Sequence, residues 1–523
     1  MLHALSPIRL AGLHMRCCGV TPSLAVMGAK RRCFASSSTA LTSANVITEL
    51  AERGMLSQCT SSISTAEQHV AKRVTVYAGV DPTAPSLHVG NLCVLMGLLH
   101  FYLRGHKIIP LIGGATGSIG DPSGRSSERK SLDSAEVRNN ADKITRQVKA
   151  FFEGAKQAKR HLGAESISMS DRGEDIQPMN NLEWWNGMSL LEFLRGTGKV
   201  SSVNVMLARD SVKSRRETGI SFTEFAYQLL QSYDFQHLFE HHGCTVQLGG
   251  SDQLGNMMGG VELILRQTST SSQNSELLSD QTKHKVLGVA MPLLTTASGE
   301  KFGKSAGNAI WLDGDMTSPF EFYQFFLRTP DEDVEKYLRW FTLLTLDRIR
   351  TVIGEHSVAA HEREAQKLLA AEVTGLVHGA EKLKMAIEQT RVIWPSHGDP
   401  PCGSYTPETI VSAFEAASSS VGREDGSIPQ LVHRLSLKEL IDKPLVDLLV
   451  ETGLTSSKKL GRHLVQSGAI RVNDEVVKVG ENATQRQPGG PTASLPVMTS
   501  ARLMHDRLAI VQVGKRRVLV VGE

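Results

Sequence analysis

The sequence predicts an α/β protein in which a parallel-sheet domain is followed by a helical domain and then by a small α+β domain. Three observations predict it. KRVTVYAGV is apolar and β-branched enough for a buried strand, LCVLMGLLHFYLRG suits a helix packed on a sheet, and KIIPLIGG from Lys107 reads as the next strand. Residues 72–114 therefore make one βαβ unit. Helical spacing then dominates FEFYQFFLRTPDEDVEKYLRWFTLL and EREAQKLLAAEVTGLVHG, whose aromatics Phe322, Tyr323 and Phe326 read as core. Near the end, SSKKLGRHLVQSG reads as a helix capped by Ser457 and stopped by Gly468. AIRVNDEVVKVG follows as a hairpin turning at Asn473 and Asp474.

Within the βαβ unit, YAGVDPTAPSLHVGN joins strand to helix through a loop suited to triphosphate. The helix N-terminus offers free N–H groups and a favourable dipole beside the carboxyl ends of the strands. Thr83 and His88 lie at that mouth, and Gly79 and Gly90 have no side chain to block a nucleotide. A single His-x-Gly at a helix start is, taken alone, a capped turn. A second segment, GEKFGKSAGNAIWLD, sets Lys301, Lys304 and Ser305 among Gly299, Gly303 and Gly307. Alone it would be a solvated surface loop.

In FTEFAYQLLQSYDF, Tyr227, Gln231 and Asp234 are spaced i, i+4, i+7 and share one helix face with Thr223 and Leu230. A mostly polar stripe flanked by Phe225, Leu229 and Phe235 is odd for a helix that packs inward, unless it lines a ligand pocket. VQLGGSDQLGN places Gly249, Gly250, Asp252 and Gln253 just after an apolar run, where an acidic residue suits either a helix cap or a ribose.

The order HVGN, then KFGKS, resembles the two signatures of class I aminoacyl-tRNA synthetases. FTEFAYQLLQSYDF, VQLGGSDQLGN and GGATGSIGDPSGRSSER resemble the tyrosyl-tRNA synthetase family of bacterial and mitochondrial type, over about residues 45–523. The resemblance implies a Rossmann-type catalytic domain at 45–314, an α-helical anticodon-binding domain at 315–430 and an RNA-binding domain of the ribosomal S-four type at 431–523. It implies that L-tyrosine is activated by ATP to tyrosyl-adenylate plus pyrophosphate, then transferred to the 3′ end of tRNA(Tyr) in organellar translation.

By resemblance, Tyr77 and Asp234 bond the phenolic hydroxyl of tyrosine, and Tyr227, Gln231 and Asp121 hold its ammonium group, with Gln247 added to the same site. Phenylalanine would leave two buried polar groups unpaired, so no editing domain is required; tyrosine-specific synthetases are the reference case for this rule. The ATP site falls on Gly79, Asp81, His88, Gly90, Gly249, Asp252, Gln253 and Lys304. Nucleotidyl transfer needs positioning and charge neutralisation more than acid or base groups. The catalytic set is accordingly Thr83, His88, Asn91, Lys301, Lys304, Ser305, Arg125 and Arg129. Some of these depart from the family pattern. Asn91 stands where a second histidine is usual and Leu254 where tryptophan is usual, while Arg125 and Ser305 replace lysine and threonine.

Composition agrees with several packed domains: 523 residues, 41% hydrophobic, net charge +3. Residues 438–523 hold 13 Lys or Arg against 9 Asp or Glu, so basic charge gathers at this end. There Lys458, Lys459, Arg462 and His463 are expected on the solvent face of a helix, as RNA-binding residues. STSSQNSELLSDQ, the run 395–426 and TQRQPGGPTASLP read as surface insertions.

Residues 1–48 contain no Asp or Glu but do contain Arg9, Arg16, Lys30, Arg31 and Arg32, which is transit-peptide composition. KRRCFAS resembles a processing site cut after Phe34, giving a leader at 1–34 and a mitochondrial matrix address; a plastid or dual address fits the same composition. The seven cysteines show neither zinc spacing nor a disulfide pattern. No metal site is expected beyond Mg2+ accompanying ATP. Family resemblance further implies a homodimer, with no membrane partner. Two alternatives stay open: a tryptophan-specific synthetase, and an RNA-binding protein with an added role in group I intron splicing.

Overall fold

The runs TVYAGV, KIIPLI and LGVAM lack polar alternation, as strands covered on both faces should, and all three become strands of one six-stranded sheet. The computed structural model describes residues 45–523 apart from 124–131, 162–175, 214, 216–218, 271–285, 296–308, 397, 422–429 and 478–495. Its first sheet contains β1 (Gln58–Cys59), β2 (Thr75–Val80), β3 (Lys107–Ile112), β4 (Met179–Asn180), β5 (Cys244–Gly250) and β6 (Leu287–Met291). Their order is β1-β6-β5-β2-β3-β4, parallel except for β1 against β6.

The chain runs outward from β2 through β3 to β4, then returns to place β5 on the other side of β2. Between β2 and β5 the winding reverses, and at such a switch point the carboxyl ends of the strands leave a crevice. Helix α1 (Val46–Glu52) precedes β1, and α2 (Val89–Leu103) crosses from β2 to β3. Eleven of the 15 residues of α2 are buried, so it is apolar all round and forms the centre of the layer on that face. Helices α3 (Ser134–His161), α4 (Phe222–His242) and α5 (Leu254–Thr270) complete the two layers.

The helical part follows with α6 (Pro319–Leu327), α7 (Asp331–Phe341), α8 (Glu364–His378), α9 (Ala380–Ile393) and α10 (Pro407–Val421). Phe322, Tyr323 and Phe326 lie in the same core as Leu92, Leu99 and Val148 of the first part, so the two parts share one apolar interior. The run 395–426 is not the surface insertion its composition suggests. Ile410, Ala413, Phe414 and Ala417 of α10 are buried at spacings of three and four, packing on Phe320 and Val392. Small residues and serines hid that stripe.

A second sheet of order β7-β11-β10-β8-β9 ends the chain, from β7 (Val432–Leu435), β8 (Ile470–Val472), β9 (Glu475–Val476), β10 (Leu508–Val513) and β11 (Arg516–Gly522). Asn473 and Asp474 turn the β8–β9 hairpin with φ of 53° and 70°, the left-handed pair that a two-residue hairpin demands. Helices α11 (Leu445–Glu451) and α12 (Lys458–Gln466) pack beside it; Ser457 caps α12, and Gly468 follows at φ 69°.

Candidate active site

A cavity of about 600 Å³ opens at the β2/β5 crevice. Its wall includes Tyr77, Gly79, Asp81, Thr83, His88, Gly90 and Asn91 from β2 and the start of α2, with Asp121 beyond β3. Tyr227, Gln231 and Asp234 of α4 supply another wall, and Gln247, Gly249, Asp252 and Gln253 the end of β5. Every described tyrosine- or ATP-site residue named from the sequence is thus brought together here. Arg125, Arg129, Lys301, Lys304 and Ser305 lie outside the described residues.

His88 is the N-cap of α2. Its Nδ1 accepts from the Gly90 N–H at 3.0 Å, and the Asn91 side chain accepts the His88 N–H at 3.1 Å. With Nδ1 an acceptor, Nε2 carries the proton of the neutral ring and is a donor. Asn91 therefore has a structural task that a neutral amide does well: it completes the reciprocal cap of the helix.

The deep end of the cavity is polar and buried. Asp234, 2% exposed, accepts Trp184 Nε1 and Trp185 Nε1 on Oδ1, each at 2.8 Å, and Asn181 Nδ2 on Oδ2 at 3.0 Å. Trp184 is stacked on His237 and Trp185 is tilted against Tyr233, which fixes both indoles. Burial raises the Asp234 carboxyl to about 7, against the lowering pull of those three donors. Nearby, the Tyr77 hydroxyl is buried with no hydrogen-bond partner among the described residues, as is Gln247 Oε1. Burial, then the charge of Asp234, pushes the Tyr77 phenol well above its ordinary range, so it stays protonated and can donate.

Midway, Tyr227 donates to Asp81 Oδ2 at 2.8 Å while Thr116 donates to Oδ1 at 2.7 Å. Asp121 Oδ2 accepts Gln253 Nε2 at 2.7 Å. Asn256 joins the two walls by donating to Gln231 Oε1 at 2.9 Å and Gln253 Oε1 at 3.1 Å. Among the described residues, a Cβ at Gly79 would meet no atom within 4 Å, so a side chain there would stand in the cavity itself.

Asn181, Trp184, Trp185, Thr116 and Asn256 were missed by sequence reasoning. Only the adjacent tryptophans, two of five in the chain, carried a visible signal. Away from the cavity, Lys458, Lys459, Arg462 and His463 are exposed on α12, with Lys458 Nζ 2.8 Å from Asp447. Among the described residues no group of three or more His, Cys, Asp or Glu is placed to hold a metal ion, and no helix is long and apolar enough to cross a membrane.

Comparison with known proteins agrees with this geometry. The family model for class I tRNA synthetases (W and Y) matches residues 69–394, and that for the tyrosine–tRNA ligase SYY-like C-terminal domain matches 428–488. The chain is 39% identical to a Geobacillus kaustophilus tyrosine–tRNA ligase over 478 residues, covering 91% of this chain and 99% of that one. It is 40% identical to Bacillus cereus tyrosine–tRNA ligase 2 over 441 residues, or 84% and 94% of the two chains. A C-terminally truncated Aspergillus nidulans mitochondrial tyrosyl-tRNA synthetase superposes with a TM-score of 0.60 at 37% identity, covering 67% of this chain and 94% of that one. The Coccidioides posadasii mitochondrial counterpart, also truncated, gives 0.59 at 37%, with 65% and 90% covered. Neither the tryptophan-specific nor the RNA-splicing alternative is favoured by these relatives. A parallel sheet with its cavity at the switch point, the helix cap of His88 and relatives matched nearly end to end place the chain in the tyrosine–tRNA ligase family of class I tRNA synthetases.

Proposed function

We propose that the cavity takes L-tyrosine with its ring toward Asp234 and ATP along the β2/β5 crevice, and that the residues divide the ligase reaction as follows. The tyrosine phenol lies between Tyr77 and Asp234, accepting from one and donating to the other. Its ammonium group faces Asp121, Tyr227, Gln231 and Gln247. Adenosine rests on Gly79, Asp81, Gly249, Asp252 and Gln253. A tyrosine carboxylate oxygen attacks the α-phosphorus in line, and the bond from that phosphorus to the bridging oxygen breaks, releasing pyrophosphate. His88 Nε2, Thr83 and Asn91 stabilise the leaving charge, with Lys301, Lys304, Ser305, Arg125 and Arg129 supplying cations and donors; the first N–H groups of α2 are already taken by Ile310 and His88 and act through the helix dipole alone. In the second step a ribose hydroxyl of the terminal tRNA adenosine attacks the adenylate carbonyl and AMP leaves.

One observation carries this reading: the buried Tyr77 hydroxyl has no hydrogen-bond partner among the described residues, in the cavity that Asp234 also lines. Such a group costs about 1–3 kcal/mol unless a ligand satisfies it. The test is pyrophosphate exchange into ATP on protein beginning at Ala35, with tyrosine, phenylalanine and tryptophan in turn. Exchange with tyrosine alone supports the assignment. Equal exchange with phenylalanine, or none from folded protein, refutes it.

Mg2+ would accompany ATP as its counter-ion and help neutralise the phosphate charge. The C-terminal sheet with α11 and α12 works as an RNA-binding domain of the S-four type, and Lys459 and Arg462 contact phosphate. Lys459→Ala with Arg462→Ala should weaken tRNA charging while leaving exchange intact. A homodimer is supported by apolar side chains left exposed on neighbouring elements: Leu190 at 70%, Leu191 at 65%, Val203 at 57% and Phe222 at 78%. Light scattering on Phe222→Glu should report a lighter particle than the parent protein. Residues 1–34, outside the described residues, act as a mitochondrial leader. A reporter carrying residues 1–48 tests this against a plastid address.

A further inference from the structure

Gln147 of α3 lies outside every role given so far, yet its half-buried amide is joined to both sides of the nucleotide mouth. Its Oε1 accepts the Leu87 N–H at 3.0 Å and the Ser86 hydroxyl at 3.2 Å. Its Nε2 donates to Asp313 Oδ2 at 3.3 Å, and Asp313 in turn donates its own N–H to Ser86 Oγ at 3.2 Å. Around this ring of contacts, Leu312 donates to the Leu87 carbonyl at 2.8 Å and Val89 to the Ile310 carbonyl at 2.9 Å, an antiparallel bridge centred on His88 and Trp311. The peptide that presents His88 is therefore held against the strip Ile310–Asp313, and Gln147, from a third element, is hydrogen-bonded to both.

We propose that Gln147 is a positioning residue for adenylate formation, setting the His88 cap and the Ile310–Asp313 strip in a single register. This rests on the functional reading above. The two backbone hydrogen bonds at Leu87 and Val89 define a pairing but leave it free to tilt about their common axis. A third attachment from another element, off that axis, removes the tilt. Ser86 and Leu87 also line the cavity, so a shift there moves the cap directly. Displacement of reacting groups by about 1 Å is enough to cost on the order of a hundredfold in rate. Gln147 makes no hydrogen bond to Tyr77, Asp121, Tyr227 or Asp234, so tyrosine should not sense its loss.

The experiment compares full-length parent, Q147M, Q147E and Q147E/D313N in pyrophosphate exchange, with equilibrium tyrosine binding and thermal midpoint measured alongside. Q147M keeps the volume but removes every hydrogen bond, and should lower kcat/KM for ATP about tenfold or more with tyrosine affinity within about twofold. Q147E keeps the acceptor for Leu87 but turns a carboxylate toward Asp313, and should fall similarly. In Q147E/D313N the amide is returned to the other end of the same contact, so much of the lost rate should come back. An unchanged kcat/KM in Q147M, an equal loss of tyrosine affinity, or a double variant no better than Q147E would overturn the proposal. If Q147M does not fold, the comparison of Q147E with the double variant decides. Absence of tyrosine-dependent exchange in the parent protein would instead count against the reading of the site.

Discussion

Tyr227 donates its hydroxyl to Asp81 Oδ2 at 2.8 Å, which ties the helix carrying the proposed tyrosine-site residues to the end of the strand that leads into the proposed nucleotide loop. Tyr227 comes from α4 and Asp81 from the residue after β2. Burial, then the charge of Asp81, keeps the phenol well above its ordinary range, so it acts as a donor throughout the working pH range. In Tyr227→Phe, Asp81 retains Thr116 but loses this donor. Both substrates should suffer: kcat/KM should fall on the order of tenfold or more for tyrosine and for ATP. A loss confined to tyrosine would show that the bond does not couple the two halves of the site.

Asp234 should impose a pH dependence whose sign follows from its raised pKa. Folding binds the proton more tightly than the unfolded chain does, so its contribution to stability is fully present below 3.8 and is lost as pH rises through about 7. Tyrosine binding should run the other way if, as proposed, the substrate hydroxyl donates to the ionised carboxylate. KM for tyrosine should therefore rise as pH falls below about 7, and Asp234→Asn should remove that inflection. Trp185→Phe keeps an aromatic ring against Tyr233 but deletes one of the donors that hold the carboxyl down, so the inflection should move upward. A KM profile flat from pH 6 to 8 in the parent enzyme would refute the assignment.

The sequence exposed the site wherever chemistry demanded residues at fixed spacing along one element. Tyr227, Gln231 and Asp234 lie at i, i+4, i+7 on α4, a spacing that put them on one face, whereas His88 at a helix start stood out only beside the second signature and the family resemblance. What it could not expose were partners that meet only in the fold. Asn181 and Trp184 reach Asp234 from a segment about fifty residues away, and Thr116 reaches Asp81 from beyond β3. The C-terminal sheet is a similar case. Leu508, Ile510 and Val521 share a core with Phe320 and Phe414 of the helical part, an attachment that no local pattern announces. Removing that sheet would uncover a core, so point changes on α12 are the better probe of RNA contact.

Two glycines at the mouth should behave oppositely. At Gly79 a Cβ meets open cavity, whereas at Gly113 it would come within 2.1 Å of Asp81 Oδ1 and 2.4 Å of Thr116 Oγ1. Gly79→Ala should leave the melting temperature nearly unchanged and raise KM for ATP by roughly tenfold, the effect of one added methyl in a fitted site. Gly113→Ala should lower the melting temperature as well, because the Thr116–Asp81 hydrogen bond must open to admit the methyl group. A stable Gly113→Ala enzyme with ordinary kinetics would mean that the backbone yields there.

Arg53 should be among the most sensitive positions for stability although it is remote from the cavity. Its side chain is fully buried at the C-terminal cap of α1, pairing through Nε with Glu49 of that helix at 2.5 Å. Its other nitrogens donate to the carbonyls of Arg339 at 3.1 Å, Thr342 at 3.4 Å and Leu344 at 2.8 Å, at the end of α7 and just beyond. Arg339 returns the contact by donating to the Glu52 carbonyl at 2.9 Å. The first helix of the described chain is thereby stapled to the helical part. Arg53→Met preserves much of the volume but, among the described residues, leaves Glu49 with Arg104 alone as a charged partner, 3.5 Å away, and strands those carbonyls. Breaking one partner of a buried pair costs about 3–5 kcal/mol. Denaturant unfolding of Arg53→Met should show a loss of that order, and adding Glu49→Leu should recover part of it by removing the buried charge that lost its partner. If the double variant is less stable than Arg53→Met alone, the carbonyl contacts rather than the ion pair dominate the staple.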